Sequence, residues 1–362
     1  MFIALFDKDF KSIGCRKTYP ASKWSLTRRA FDMDGFTATC PQIERSARAV
    51  FVGLFEPKGR LKYLAFSGRP KDQGGLTNIT ATDLRRVFMQ KVVIRYDSFK
   101  TNHVVSAWVS YLMNLPKTSH GSKLGLTYSV DVSEIEANEP TWKADSIPEE
   151  KDVGSVWEEL QAAMSRYGFT IEAEANITTD PSTHEQTGAI VFKCKTLGTT
   201  HPIKLSDFDA PRVMDDSTET NCCYATDGTN GHLFYILTEI ATGDDVILEG
   251  YAATMAINAG THVLRAPLKS ETFVEDDLEK AIAKAMAVLE KNRYKGGKVE
   301  IQVNSTRGLG LQNATLHDRG LIYGYNSADD TTKKLLPVSS IKEDSSGDLT
   351  VCFGRLDDYY YA

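Results

Sequence analysis

The sequence predicts a β-rich α+β protein, and three observations support this fold class. Its 362 residues are enough for two or three domains. Short apolar or alternating runs, separated by Gly, Pro and Asp turns, follow one another along most of the chain, as in strands and hairpins. A few longer stretches instead carry apolar residues at helical spacing. With 41% hydrophobic and 25% charged residues, the composition excludes a wholly disordered or fibrous chain.

The first part of the chain is predicted to be mainly antiparallel strands. Each strand is an apolar or alternating run next to a turn signal: Phe2–Phe6, Lys23–Arg29, Gly35–Thr39, Ala49–Phe55, Leu61–Ser67 and a run from Leu76 to Ala81. Thr82 is predicted to cap a short helix that has Asp83 in its first turn. A strand at Lys91–Tyr96 and a helix at His103–Leu115 follow. This stretch fits a small β-barrel with one or two helices.

The middle of the chain is predicted to be a helix packed on a hairpin. Residues 116–150 are loop-rich and acidic, which indicates a domain boundary. Lys151–Tyr167 is predicted as a helix with an apolar stripe that includes Trp157 and Leu160, and with Glu158 and Glu159 on an acidic back. Gly168 is predicted to end this helix. The two hairpin strands are Phe169–Ile177 and Ala189–Lys195.

The last part returns to strands, with one long helix. Residues 196–230 are interpreted as a polar connection, and Val274–Tyr294 is predicted as an amphipathic helix with carboxylates at its start and cations at its end. The predicted strands are Leu233–Leu237, Val246–Tyr251, Lys298–Val303, Gly320–Tyr325, Leu335–Ile341 and Leu349–Phe353, with a hairpin turn at Asp344–Gly347. A weak repeat links Lys71–Thr77 to Lys342–Thr350, which fits either chance or two related barrels.

Few residue patterns indicate catalysis or the binding of a metal or cofactor. The only candidate zinc ligands are Cys194, His201 and the adjacent pair Cys222 and Cys223, and they lack the usual spacing of paired ligands. The glycines of RGLGLQ do not make a dinucleotide fingerprint. A glycosidase-like pair of carboxylates within 134–159 is the enzymatic alternative, although a solvated acidic face explains the same residues. We therefore expect no catalytic, cofactor-binding or metal-binding residue and no enzyme activity.

Targeting signals and charge restrict the class of protein further. MFIALFDKDF is not a secretory signal, no stretch has the length of a membrane span, and six cysteines without CxxC indicate reduced thiols. Residues 1–114 hold 19 Lys and Arg against 9 Asp and Glu, whereas residues 115–362 hold 23 against 39. A basic first third suits either nucleic-acid binding or docking between oppositely charged neighbours.

The order of segments resembles the tail hub proteins of long-tailed bacteriophages. The similar pieces are ALFDKDFKSIG, SKWSLTRR, the hairpin VFVGLFEPKGRLKYLAFSG and GLTNITATDLRRVFMQKVVI, followed by VWEELQAAMSRYGFTIEAEAN, GAIVFKCK and SSIKEDSSGDLTVCFG. The loop at 116–150 and the pair Cys222–Cys223 depart from the pattern. The similar pieces follow one another in the family's order over nearly the whole chain.

The resemblance implies a non-enzymatic virion component with two tube-like β-barrel domains, at 1–115 and 220–362, around a middle module at 116–219. It implies a homotrimer whose six barrels join a six-fold tail tube to a three-fold tip around the DNA exit channel. The implied partners are a distal tail protein or tail tube, a tape measure protein and a tail fibre or spike, with DNA only in transit and no membrane anchor. The implied location is the virion tail, after assembly in the host cytoplasm. Because the chain ends at Ala362, soon after its last strand, no appended hydrolase is expected.

Overall fold

The computed structural model describes most of the chain. The described residues are 1–94, 105–119, 126–138, 151–182, 186–208, 211–214, 220–226, 228, 233–242, 245–252, 269–282, 284–285, 298–303, 309–324 and 333–354. By internal contacts the chain divides into two compact units, here called unit 1 (1–211 with 300–353) and unit 2 (212–299). The predicted division into three domains stays a prediction.

The fold is a β-rich α+β fold, in agreement with the predicted class. The strands that precede residue 212 are β1 Phe2–Phe6, β2 Ser12–Ile13, β3 Tyr19–Pro20, β4 Lys23–Arg29, β5 Gly35–Pro41, β6 Phe51–Phe55, β7 Leu61–Ser67, β8 Lys71–Gln73, β9 Leu76–Thr82, β10 Lys91–Ile94, β11 Ser129–Asp131, β12 Lys151–Ser155, β13 Phe169–Thr179, β14 Gln186–Thr196 and β15 Thr200–Lys204. The later strands are β16 Arg212–Met214, β17 Thr220–Thr226, β18 Leu233–Thr242, β19 Asp245–Ala252, β20 Lys269–Val274, β21 Lys298–Val303, β22 Arg319–Tyr323, β23 Lys333–Asp344 and β24 Leu349–Gly354. The helices are α1 Val105–Ser119, α2 Ser133–Asn138 and α3 Val156–Tyr167, together with helical residues at 278–282 and 284–285.

The largest sheet of unit 1 joins the first and last strands of the chain. Along it the strands lie in the order β24-β23-β4-β5-β9-β7-β6-β1-β2. β23 pairs antiparallel with β4, with Ser340 opposite Arg29 and Asp344 opposite Ser25. One face of β1, β4, β5, β6, β7 and β9 forms a single core around residues such as Leu5, Phe36 and Val52. The alternation of buried and exposed residues along β5 and β9 follows from the two-residue period of a strand.

Smaller sheets complete the two units. In unit 1, the hairpin β13–β14 has β11 added in parallel, and β10 pairs with β12. Strand β15 runs parallel to β22, which joins the large sheet by pairing with β23. Helix α3 begins at the cap Ser155 and ends at Gly168, whose φ of 67° is the left-handed conformation that glycine favours. In unit 2 the strand order is β19-β18-β17-β20. Ala281 and Ala285 pack there against Cys223 and Leu237.

Several sequence-based predictions require correction. The helix expected at Lys151–Tyr167 begins at Val156, because residues 151–155 form β12 and pair with β10. The cap of the short helix is Asp83, which accepts a hydrogen bond from the Arg85 amide, and not Thr82, which ends β9. Glu159 is 4% exposed, so it does not belong to an acidic solvent face.

Two segments interpreted as connections contain regular structure. The stretch 116–150 includes the end of α1, β11 and α2, while residues 120–125 and 139–150 lie outside the described residues. The stretch 196–230 includes β15, β16 and β17. Strand β15 is polar and pairs with the distant β22, whereas β17 pairs with the next strand, β18.

The predicted helices at 103–115 and 274–294 are shifted or only partly covered. The first is described from Val105 to Ser119, and residues 103–104 lie outside the described residues. For the second, Val274 still belongs to β20, the described helical residues begin at 278, and residues 286–294 lie outside the described part. The predicted strand residues 95–96 also lie outside it.

Gly68 provides a direct test of the strand arrangement in unit 1. Its amide donates to the Thr80 carbonyl at 2.8 Å, and a Cβ at this position would lie 2.3 Å from that same oxygen. We expect Gly68→Ala to lower the free energy of unfolding by about 1–3 kcal/mol, because backbone must move to admit the methyl group. Chemical denaturation measures the loss. The control is Gly310→Ala, where an added Cβ meets nothing within 4 Å; equal effects of the two changes would contradict the packing.

Candidate functional site

The four residues considered as zinc ligands lie in separate local environments. The Cys194 thiol on β14 donates to the Met113 sulfur at 3.7 Å, and burial raises its pKa. His201 Nε2 lies 3.1 Å from Asp318 Oδ2, whereas Cys222 and Cys223 are consecutive buried residues of β17 in unit 2. Among the described residues, no group of three or more His, Cys, Asp or Glu is placed to hold a metal ion.

The acidic stretch at 134–159 is described only in part, and two of its carboxylates are engaged in the fold. Glu134 accepts hydrogen bonds from Lys195 Nζ at 2.6 Å and from the Thr196 amide at 3.1 Å. Glu159 is buried. These two residues therefore do not form an open acid–base pair of the kind that glycoside hydrolysis requires.

The segment RGLGLQ is described only in part. Of the glycines in RGLGLQ, Gly308 lies outside the described residues, and Leu309–Leu311 forms one 3₁₀ turn. In the part of the chain that the structure describes, no helix is both long and apolar enough to cross a membrane.

A buried polar cluster in unit 1 surrounds Arg85. This side chain is 1% exposed, and its Nε donates to Asp83 Oδ2 at 2.6 Å. Its Nη2 donates to Asp34 Oδ1 at 2.8 Å, and its Nη1 donates to the Ile171 carbonyl at 3.1 Å. The Trp157 ring centroid lies 5.5 Å from the guanidinium carbon. One side chain thus links the β4–β5 loop, its own 3₁₀ turn at Leu84–Met89, β13 and α3.

The electrostatics of the Arg85 cluster follow from its composition, because two carboxylates share one guanidinium. Burial raises the pKa of Asp34 to about 7, and the neighbouring Asp83 acts in the same direction, whereas Arg85 opposes both. Burial acts to lower the pKa of Arg85, but the two carboxylates outweigh it and raise that pKa. The cluster is closed to solvent and held by backbone carbonyls, so it can organise the fold but offers no access to a substrate.

A second charged group holds the last strands of the chain on the first sheet. Glu343 on β23 forms an ion pair with Lys62 of β7 and lies 3.6 Å from Arg28 Nη2 of β4. Lys62 also lies 5.6 Å from the centroid of the Trp24 ring. Because these contacts join residues far apart in sequence, they fix the register in which β23 closes on β4.

A polar groove crosses the outer face of the same sheet. It has a volume of about 600 Å³ and is lined by residues of β4, β5 and β9 and by the turn after β23, among them Lys23, Thr37, Asn78, Lys342 and Asp344. It contains hydroxyl, amide and charged groups, but among its lining residues there is neither His nor Cys.

His317 and Glu172 form an ion pair between the turn before β22 and strand β13, with His317 Nδ1 3.3 Å from Glu172 Oε1. The hydrogen bond to Glu172 raises the pKa of His317 above 6.5. Burial acts to raise the pKa of Glu172, but the hydrogen bond from His317 and the positive charges of His317, Arg28 and Arg85 together outweigh it, so this pKa lies below 4.5. The pair is therefore stabilised in its doubly charged form.

This pair predicts a pH-dependent stability. Its contribution should be complete between pH 4.5 and 6.5, the ordinary pKa values of the two groups. It should be lost as the pH rises through the raised pKa of His317, and also as the pH falls through the lowered pKa of Glu172. We expect Glu172→Gln to lower the free energy of unfolding by roughly 0.5–1 kcal/mol within that window and by less outside it. Urea titrations at several pH values measure this; a pH-independent difference, or the same profile for the exposed Glu136→Gln, would contradict the assignment.

Comparison with known proteins gives a fold but no family by sequence. No family model matches the chain, and no curated protein matches it. The 43 kDa tail protein of prophage MuSo2 from Shewanella oneidensis is 12% identical and matches over 100% of both chains with a TM-score of 0.55. The tail protein from Neisseria meningitidis MC58 is 12% identical over 99% of both chains, with a TM-score of 0.51. A chain of the phage P2 baseplate in its activated conformation with Ca is 12% identical over 98% of both chains, with a TM-score of 0.52.

At these identities the likeness establishes the fold alone. The structural neighbours are tail and baseplate proteins, and each is matched over nearly its whole length. The features of this chain's own surface and core are a closed charge cluster, ion pairs between strands and an open polar groove.

Proposed function

We propose that this chain is a structural component of a phage-type tail, and specifically the hub at the tail tip or baseplate. The observation that carries the proposal is the full-length structural likeness to several tail and baseplate proteins. The sequence resemblance to tail hubs, found from other features of the chain, supports the same role. The long sheet of unit 1, with a buried ion pair at Arg85 and a half-buried pair between Lys62 and Glu343, is the kind of element on which such a component can be built.

In this proposal the chain works as a homotrimer around a DNA channel. Two tube-like regions in each chain, at 1–115 and within 220–362, supply six tube-like elements to the ring. The ring joins a six-fold tube to a three-fold tip, and heterologous contacts of this kind close only at a fixed rotation. The different charge of the two parts of the chain supports alternating neighbours, because complementary charge sets register and orientation.

The proposed partners are other tail components: a distal tail protein or tail tube, a tape measure protein, and a tail fibre or spike. The proposed location is the virion tail, after assembly in the host cytoplasm, with DNA passing through without being held. We also propose that the chain has no catalytic role. The way in which Glu134 and Glu159 are held by the fold supports this part of the proposal.

The proposal predicts three copies at a tail tip. The mass of the purified chain in solution, with an image reconstruction of whole tails, should show a three-fold ring in which residues 1–115 alternate with the strands of 220–362 around a lumen. Zymography on host cell walls serves as the enzymatic control and should show no clearing. Six copies, or a ring in which residues 150–200 line the channel, would overturn the hub assignment.

A further inference from the structure

Three neighbouring segments of unit 1, at residues 14–18, 42–48 and 71–76, contact one another. A Cβ on Gly14 would lie 2.9 Å from Ile43 Cγ2, which places the first segment on the second. The Gln42 amide donates to the Gly75 carbonyl at 2.9 Å, which joins the second segment to the third. These segments carry five exposed cations, here called the basic surface: Arg16, Lys17, Arg45, Arg48 and Lys71.

The positive charge of the basic surface is not balanced locally. The three segments hold only two carboxylates, Glu44 and Asp72. Asp72 already accepts hydrogen bonds from the hydroxyls of Ser46, at 2.9 Å, and Thr77, at 2.5 Å. None of the ion pairs among the described residues involves a cation of the basic surface. The surface is therefore available to an acidic partner.

An exposed apolar side chain beside the basic surface indicates which kind of partner can cover it. Leu76, in the third segment, is 41% exposed beside these cations. A nucleic-acid backbone would neutralise the cations but would leave this side chain uncovered. A protein segment with both carboxylates and an apolar side chain would neutralise the cations and also cover Leu76. Protein interfaces commonly combine an apolar centre with a polar rim in this way.

The chain itself carries such a segment in unit 2, at residues 274–279. Val274 is 59% exposed and Leu278 is 45% exposed, so two large apolar side chains face solvent there. The other four residues of the segment are all carboxylates: Glu275, Asp276, Asp277 and Glu279. The segment therefore matches the basic surface both in charge and in its exposed apolar groups.

We infer that the basic surface of one copy docks on segment 274–279 of a second copy. The contact rests on the proposed homotrimer and specifies which surfaces meet in it. Because the two surfaces differ, the contact is heterologous. A row of copies leaves a basic surface free at one end and a segment 274–279 free at the other, until the row closes into a ring. Charge would set the register of the contact, while Leu76, Val274 and Leu278 supply the apolar burial.

The test is a charge exchange in the full-length chain. One variant is Lys17→Glu with Arg48→Glu, and the other is Glu275→Lys with Glu279→Lys. Asp276 and Asp277 are left unchanged, because they accept hydrogen bonds from the amides of Gly228 and Lys280. Analytical ultracentrifugation measures the trimer, and circular dichroism confirms that each variant is folded.

We expect each charge reversal to weaken trimer formation about tenfold or more at low salt, since like charges across an interface are strongly unfavourable. The chain that carries all four substitutions should recover most of the association, because the charges are again complementary. The matched control, Arg86→Glu with Lys91→Glu, makes the same change of charge at exposed residues of the 3₁₀ turn and β10 and should leave the trimer intact.

The outcomes separate this contact from the proposed function. Trimers that tolerate both reversals, or a combined variant that does not recover, would overturn the contact and leave the hub assignment standing. Loss of salt-dependent binding to a short DNA duplex on changing Lys17 and Arg48, with the trimer unaffected, would assign the basic surface to nucleic acid instead. If the wild-type chain is a monomer in solution, and purified tails contain a single copy of it at the tip, both proposals are overturned.

Discussion

Replacement of Arg85 by methionine is expected to lower the free energy of unfolding by about 3–5 kcal/mol, which is the cost of removing one partner of a buried ion pair. The change leaves Asp34 and Asp83 buried without their cation and removes the donors to the carbonyls of Asp32 and Ile171. Equilibrium denaturation monitored by tryptophan fluorescence measures the loss. The size of the effect reflects uncompensated charge rather than lost volume.

The neighbouring residue supplies the control for this prediction. Arg86 lies on the same 3₁₀ turn but is exposed, so Arg86→Met should change the stability by less than about 0.5 kcal/mol. Adding Asp34→Asn and Asp83→Asn to Arg85→Met should restore part of the loss, because the uncompensated charges are then removed. Equal stability of the Arg85 and Arg86 variants would show that the cluster does not support the fold.

Truncation of Trp157 to alanine is expected to cost about 3–5 kcal/mol, as for other buried aromatic residues. The side chain is 5% exposed on α3, and its ring lies against the Arg85 guanidinium. Thermal unfolding followed by circular dichroism measures the change, and the exposed neighbour Glu158→Gln serves as the control. Because Trp157 and Arg85 are in contact, the losses from the two single changes should not add in the double variant.

An unchanged melting curve for Trp157→Ala would contradict the burial of this helix face. Leu160, on the same stripe, is 0% exposed and should respond in the same direction when truncated. If only the tryptophan change were tolerated, the ring would be contacting a partner instead of the core of unit 1.

Much of the strand arrangement could be predicted from local sequence, because apolar runs next to turn residues specify strands directly. Phe2–Phe6, Lys23–Arg29, Leu61–Ser67 and Lys298–Val303 have the predicted bounds. The burial of Trp157 and Leu160 followed from the helical stripe. In each case the signal lies within a single element.

The errors occur where pairing depends on distant residues. Val153 fits the helical stripe, yet residues 151–155 form a strand because β10, about sixty positions earlier, offers them an edge. The polar strand Thr200–Lys204 carries little local signal, and it is specified by its parallel partner Arg319–Tyr323. Tertiary context here overrides local propensity.

The Arg85 cluster shows why sequence reasoning missed the central polar feature of unit 1. An arginine in a basic helical turn is ordinarily a surface residue. Its burial depends on Asp34, far away in sequence, and on carbonyl groups of two other elements. Asp83 was the one local signal, because its spacing to Arg85 places both at the start of the same turn.

The pairing of β23 with β4 has a consequence for synthesis of the protein on the ribosome. Residues 340–344 meet residues 25–29, so β4 has to wait for more than 300 further residues before its second neighbour exists. At translation rates of about 5–20 residues per second, this delay is roughly 15–60 s. Throughout that time one edge of β4 is an unpaired template for other chains. Nascent chains that stall before residue 340 should therefore depend on chaperones, and the sheet becomes complete only when translation is nearly finished.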